Sequence, residues 1–308
     1  MIDPNHYYSN YHGHKIEHIK TLHKALSAND KDKFIWLAGD STLDNKLWLS
    51  DYTHACNGYD KVFTEPYIKS DVCYWMNKHI ESLGYKRWAV INTAVEASSI
   101  NERRKTPFDQ DIFISENISE KDLLVVSIGG NDIAAKPKVT TLLHMAKLFV
   151  FNNSDDEKII QSKSFKHIID IFKDQTEEYI NSLIAKRKPR KIIVCTMYYP
   201  CLSGTGWADK VLKITGYNKN PGKVHHIIQL IYQEATSKLN IPGVKIIPVP
   251  LYDLMDYRDE KDYVDRVEPS VIGGRKISQG LIAKLGFQDL TPDKKHIQHE
   301  TTQIVKSI

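Results

Sequence analysis

The sequence predicts an α/β fold, a three-layer α/β/α arrangement around a mainly parallel sheet of five strands. Three observations lead there. Short β-rich runs are continuously apolar rather than alternating, which is the pattern of strands buried on both faces. Segments with helical spacing separate these runs, as right-handed βαβ crossovers require. The polar, glycine-bearing stretches that carry chemistry-competent residues fall directly after the runs, where ligands bind in such sheets.

Taken in order, the stretch up to about Lys33 reads as a polar arm plus one helix packed on the main body, which then runs from 34 to 308 as one domain. The first strand is Phe34–Leu37, followed by Trp88–Asn92, Leu123–Ile128, Lys191–Met197 and Val244–Val249. Between them, Glu65–Leu83 carries an apolar stripe through Ile68, Val72, Trp75, Met76, Ile80 and Leu83. Phe165–Ala185 carries another through Phe165, Ile168, Ile169, Phe172, Tyr179, Ile180 and Leu183, and each is expected as a single helix. Further helices are expected at Pro221–Leu239 and Ser270–Leu285, and Ile133–Lys163 reads as an insertion or lid.

Composition narrows the functional classes. The chain has 308 residues, 41% hydrophobic and 26% charged, which is ordinary globular usage. Its longest strongly apolar stretch, Leu123 to Ile128, is too short to span a bilayer, so no transmembrane segment is expected. The N-terminus lacks a basic region followed by an apolar one, which points to a cytoplasmic protein without a secretory signal. The formal charge of +4 is spread along the chain, and the densest basic run, Lys186 to Lys191, sits where a helix should end. Nucleic acid is therefore not the expected partner. Cys56, Cys73, Cys195 and Cys201 show no CxxC spacing and read as reduced core thiols. His12-x-His14, His225-His226 and His296-x-x-His299 lack accompanying ligands at metal spacing, so no metal is expected; no phosphate-binding glycine loop follows any strand, and no organic cofactor is expected either.

Gly39-Asp40-Ser41-Thr42-Leu43 follows the first strand. A serine on a strand-to-helix turn presents its hydroxyl at the sheet edge among backbone N–H groups. A helix N-cap built on Asp40 or Ser41 would give the same local pattern. The second strand ends in Asn92-Thr93-Ala94-Val95-Glu96-Ala97-Ser98-Ser99 and the third in Gly129-Gly130-Asn131-Asp132. Near the C-terminus stands Asp265-Arg266-Val267-Glu268-Pro269-Ser270.

In the order and strand positions of these four blocks, from Phe34 to Ala283, the chain resembles the SGNH (GDSL-type) hydrolases. The resemblance implies an esterase or lipase in which Ser41 is the nucleophile. Its own N–H, the Ala97 N–H and the Asn131 amide would form the oxyanion hole, each donor typically worth about 3–4 kcal/mol. Ala97 stands where the family has glycine, and it supplies the same N–H if its φ is negative. The last block departs from the family, because Glu268 replaces the histidine of Asp-x-x-His-Pro. Three arrangements fit this departure. Glu268 is itself the base, held by Asp265, since neighbouring carboxyls raise one another's pKa. A histidine from elsewhere (His12, His14, His54, His225 or His226) fills the role. Or the pocket binds a ligand without turning it over, having lost its general base. The expected substrate is a small acyl ester, either an acetylated sugar or a short-chain lipid ester. Tyr198-Tyr199-Pro200 resembles the loop that borders the substrate pocket in this family, and the oligomeric state is left open.

Overall fold

The computed structural model describes residues 1–150 and 155–286. Its strands are β1 (Lys33–Gly39), β2 (Tyr52–His54), β3 (Tyr67–Lys69), β4 (Trp88–Asn92), β5 (Leu123–Ser127), β6 (Lys191–Thr196) and β7 (Lys245–Pro250). Five of them form one sheet in the order β4-β1-β5-β6-β7, every pair parallel. All five strands lie within a residue or two of the apolar runs read from the sequence. β1, β4 and β5 are buried almost throughout, which explains why their sequences show no alternation.

The chain leaves β1 for β4 on one side and later crosses to β5 on the other. The carboxyl end of β1 is therefore the topological switch point, where a crevice opens between diverging connections. Gly39 closes β1 with φ +135° opposite Ser127, and a Cβ there would stand 1.8 Å from the Ser127 carbonyl oxygen. Only glycine lets these two strands approach at the point where the chain turns toward Ser41.

Helices cover both faces. Ile16–Ala28 buries Ile19, Leu22 and Leu26 in the main core. Val72–Ser82 packs against Val271–Leu285. The expected helix over Glu65–Leu83 begins only at Val72, and Tyr67–Lys69 instead pairs antiparallel with β2. Pro66 and the Asp71 side chain account for the late start, since the latter accepts the Tyr74 N–H at 2.7 Å as an N-cap. The expected helix over Phe165–Ala185 is two helices, Lys163–Phe172 and Asp174–Leu183, which break at Lys173 (φ −117°, ψ −81°). There the Thr176 hydroxyl takes up the Ile171 carbonyl at 2.9 Å, the side-chain competition that disfavours continued helix. The expected helix from Pro221 ends at Glu234 and gives way to a 3₁₀ turn at Thr236–Lys238. The Ile133–Lys163 segment contains the helices Val139–Val150 and Asp156–Gln161, and Ser270 is the N-cap of Val271–Leu285.

The four cysteines are unpaired and buried. No helix among the described residues is long and apolar enough to cross a membrane.

Candidate active site

Ser41 lies in the turn after β1 and lines a cavity of about 140 Å³ together with Asp40, Asn131 and Glu268. Asp40 builds the turn. Its N–H bonds the Ser127 carbonyl at 3.0 Å and its Oδ1 accepts the Thr42 N–H at 3.1 Å. Burial pushes the Asp40 carboxyl up to about 6. Behind it Arg103, fully buried, donates to the Gly39 carbonyl at 2.6 Å and to the Ser98 hydroxyl at 3.2 Å. The same guanidinium makes a two-pronged pair with Asp111 at 2.5 and 3.0 Å. One cation thus ties the ends of two blocks, after β1 and after β4, into a fixed arrangement.

Asn131 sits on the short helix Gly130–Ile133, whose N-cap Gly129 is left-handed. Its Nδ2 donates to the Ser98 carbonyl at 2.9 Å, which fixes the amide's rotamer and leaves its second N–H for another acceptor. Ala97 adopts φ +56° where a negative φ was expected, which strains the alanine but leaves its N–H in place. The position keeps the left-handed backbone that favours glycine, and alanine occupies it at a strain of about 1–2 kcal/mol. Among the described residues neither the Ser41 nor the Ala97 N–H has an acceptor within the chain.

Glu268 is set by an unusual loop. Asp265 and Arg266 are both left-handed, with φ +64° each, and Val264 N–H closes on the Glu268 carbonyl at 2.8 Å. Arg266, buried, holds this conformation through the Cys201 carbonyl at 3.1 Å, Asn218 at 2.9 Å and Asp209 at 2.8 Å. The Glu268 side chain is 3% exposed, and burial is the largest cause that pushes its carboxyl up to about 8. The Ser41 hydroxyl and the Trp207 indole oppose that rise, and the charges of Glu96 and Asp40 add to it. Trp207 Nε1 donates to Oε1 at 3.2 Å, while Oε2 has no hydrogen bond of ordinary geometry.

Asp265 does not stand against Glu268. Its carboxylate accepts the Trp207 N–H at 3.3 Å and packs on Gly206, where a Cβ would meet Oδ1 at 1.9 Å. Its contact with the site passes through the Trp207 loop. Glu96 and Asp40 are the carboxyls whose charges reach Glu268; Glu96 is 1% exposed, and burial pushes it up to about 7. Sequence reasoning missed Trp207 and Glu96 as site residues. A tryptophan directly after Gly204-Thr205-Gly206 was the signal available for the first.

Among the described residues no histidine lines the cavity. His14 is buried, stacked on Tyr7 at 3.8 Å with Nδ1 bonded to the Tyr7 carbonyl. His54 bonds the Ala55 carbonyl, and His12 lies edge-on to Tyr11. His225 stacks on Tyr199 at 3.9 Å, bonds the Tyr217 hydroxyl, and is pushed down to about 4 by burial. His226 pairs with Asp156 at 2.7 Å on the surface. His296 and His299 lie outside the described residues. Among the described residues no group of three or more His, Cys, Asp or Glu side chains is arranged to hold a metal. Tyr198 and Pro200 line the cavity, whereas Tyr199 turns away to stack on His225 and Tyr252.

No protein-family model and no curated protein matches the chain. Among solved structures it is similar to a GDSL-like lipase from Parabacteroides merdae (14% identity, TM-score 0.46, 83% of this chain and 97% of that one). It is likewise similar to a lipase/acylhydrolase from Enterococcus faecalis (12%, TM-score 0.45, 85% and 99%). An acetylxylan esterase from Geobacillus stearothermophilus also resembles it (13%, TM-score 0.41, 84% and 96%).

Proposed function

We propose that this chain hydrolyses esters through an acyl-enzyme on Ser41. The observation that carries the reading is the Ser41 hydroxyl beside a buried carboxyl, Glu268, in a cavity that Asn131 also lines. In its ionised form Glu268 takes the Ser41 proton as Oγ forms its bond to the acyl carbon. The Ser41 and Ala97 N–H groups and the Asn131 amide receive the oxyanion. The proton passes from Glu268 to the leaving alkoxide, the C–O bond breaks, and water attacks the acyl-enzyme by the same relay. Trp207 orients the carboxyl, and Asp265 acts on it through the Trp207 backbone. Of the two substrate classes expected from the sequence, the apolar cavity favours a lipid ester over an acetylated sugar.

The test is covalent trapping. An alkylphosphonate ester should label Ser41 alone, and Ser41→Ala should abolish both labelling and turnover of a soluble ester. Labelling elsewhere with Ser41 untouched overturns the assignment. A wild type that turns over no ester at any pH would leave a binding protein that has lost its base.

A further inference from the structure

The cavity beside Ser41 is larger and more apolar than an acetyl group requires. The helix Pro221–Glu234 presents Val224, Ile227, Ile228 and Ile231 to it, one stripe at i, i+3, i+4 and i+7. Met197, from the end of β6, and Leu212 complete the apolar wall. Its polar lining is almost confined to Ser41 and its neighbours. A sugar would leave hydroxyls unpaired against such walls. An acetyl group would leave most of the 140 Å³ empty. Apolar wall left against water forgoes the burial that a longer chain would gain. The space holds about five water-sized groups.

We infer that this cavity is an acyl-chain site, and that the substrate carries an unbranched chain of about hexanoyl length or slightly longer. The inference rests on the Ser41 reading for turnover, but binding of the chain does not. The ester carbonyl sits at Ser41, and the chain runs along the Val224–Ile231 stripe. The alcohol lies outside, on the solvent side of the Glu268 carboxyl.

The experiment measures kcat/KM for p-nitrophenyl acetate, butyrate, hexanoate, octanoate and decanoate. Each methylene buried should raise kcat/KM about fourfold, up to hexanoate or octanoate, after which it levels or falls. Ile228→Phe, which fills the cavity, should lower the hexanoate-to-acetate ratio about tenfold. A ratio that is flat in the wild type, or unchanged in a folded Ile228→Phe, overturns the inference. Thermal melting of Ser41→Ala with hexanamide or acetamide separates the two readings. Selective stabilisation by hexanamide, alongside a wild type that hydrolyses no ester, upholds the chain site while the hydrolase reading fails. Equal effects of the two amides overturn the chain site even if esters are turned over.

Discussion

The Trp207 indole donates to one oxygen of Glu268 at 3.2 Å and leaves the other, Oε2, without an ordinary hydrogen bond. A carboxylate in this setting is oriented on one side and open on the other, the side on which a proton can be taken from a hydroxyl. The same enclosure favours the neutral acid, so the base exists only when the solution forces it to ionise.

Activity should follow the ionisation of Glu268. Its carboxyl is pushed up to about 8 by burial, so the base form, and kcat/KM with it, should rise with pH and level off above about 8. Because Glu96 interacts with it, the apparent values belong to the pair. Glu268→Gln should lower kcat by at least about 10³ and remove the alkaline rise. Stopped-flow pH–rate profiles check this, and full activity in the glutamine variant would exclude Glu268 as the base.

Trp207→Phe keeps an aromatic ring and removes the donor. A hydrogen bond to the charged form lowers a pKa, so its loss should move the alkaline inflection up by about one unit. The same profiles measured on this variant decide the point. An unshifted inflection with a uniformly lower rate would mean that Trp207 serves only to pack the loop.

Asn131→Ala should reduce kcat by about 10²–10³ with little change in KM, because the amide acts on charge that develops only in the transition state. The bond to the Ser98 carbonyl at 2.9 Å also gives the residue a structural part. Melting curves measured alongside the kinetics separate the two contributions.

Ala97→Gly should stabilise the chain. Removing left-handed strain gains about 1–2 kcal/mol, and the greater freedom of glycine in the unfolded state returns about 0.5–1. A rise in melting temperature of one to three degrees, read by calorimetry, is the expected net effect. Activity should be preserved, since the N–H is retained.

Arg103→Met should be strongly destabilising, by about 3–5 kcal/mol, because it leaves Asp111 buried without its cation. Arg103→Met with Asp111→Leu should recover part of that loss in chemical denaturation, as replacing both partners of a buried pair does.

The sheet was legible because β1, β4 and β5 are buried on both faces and so read as unbroken apolar runs. The β2–β3 hairpin was not, since Tyr52-Thr53-His54 and Tyr67-Ile68-Lys69 are short and mostly polar or exposed. The break at Lys173 carries neither glycine nor proline, and only the side-chain bond from Thr176 marks it. The candidate site was legible where residues follow strands directly, as Ser41 and Asn131 do. It was obscure where partners arrive from distant loops, since Trp207 meets Glu268 across 61 positions of sequence. The left-handed backbone at Ala97 was hidden by a side chain that ordinarily avoids it.

The buried carboxyls have a consequence for the molecule as a whole. Burial pushes Glu268 up to about 8, Glu96 and Asp71 up to about 7 and Asp40 up to about 6, so at neutral pH the native chain holds protons that an unfolded chain would give up. Its charge then stands above the formal +4, and its calorimetric unfolding enthalpy should vary with the ionisation heat of the buffer. The stabilisation from these groups is complete below their unfolded values near 4 and is lost as pH climbs through 6 to 8. His14 and His225, held neutral by burial, act in the opposite sense at the acid end. Robustness is therefore concentrated in mildly acidic solution and turnover in alkaline solution, and the two optima pull apart across neutrality.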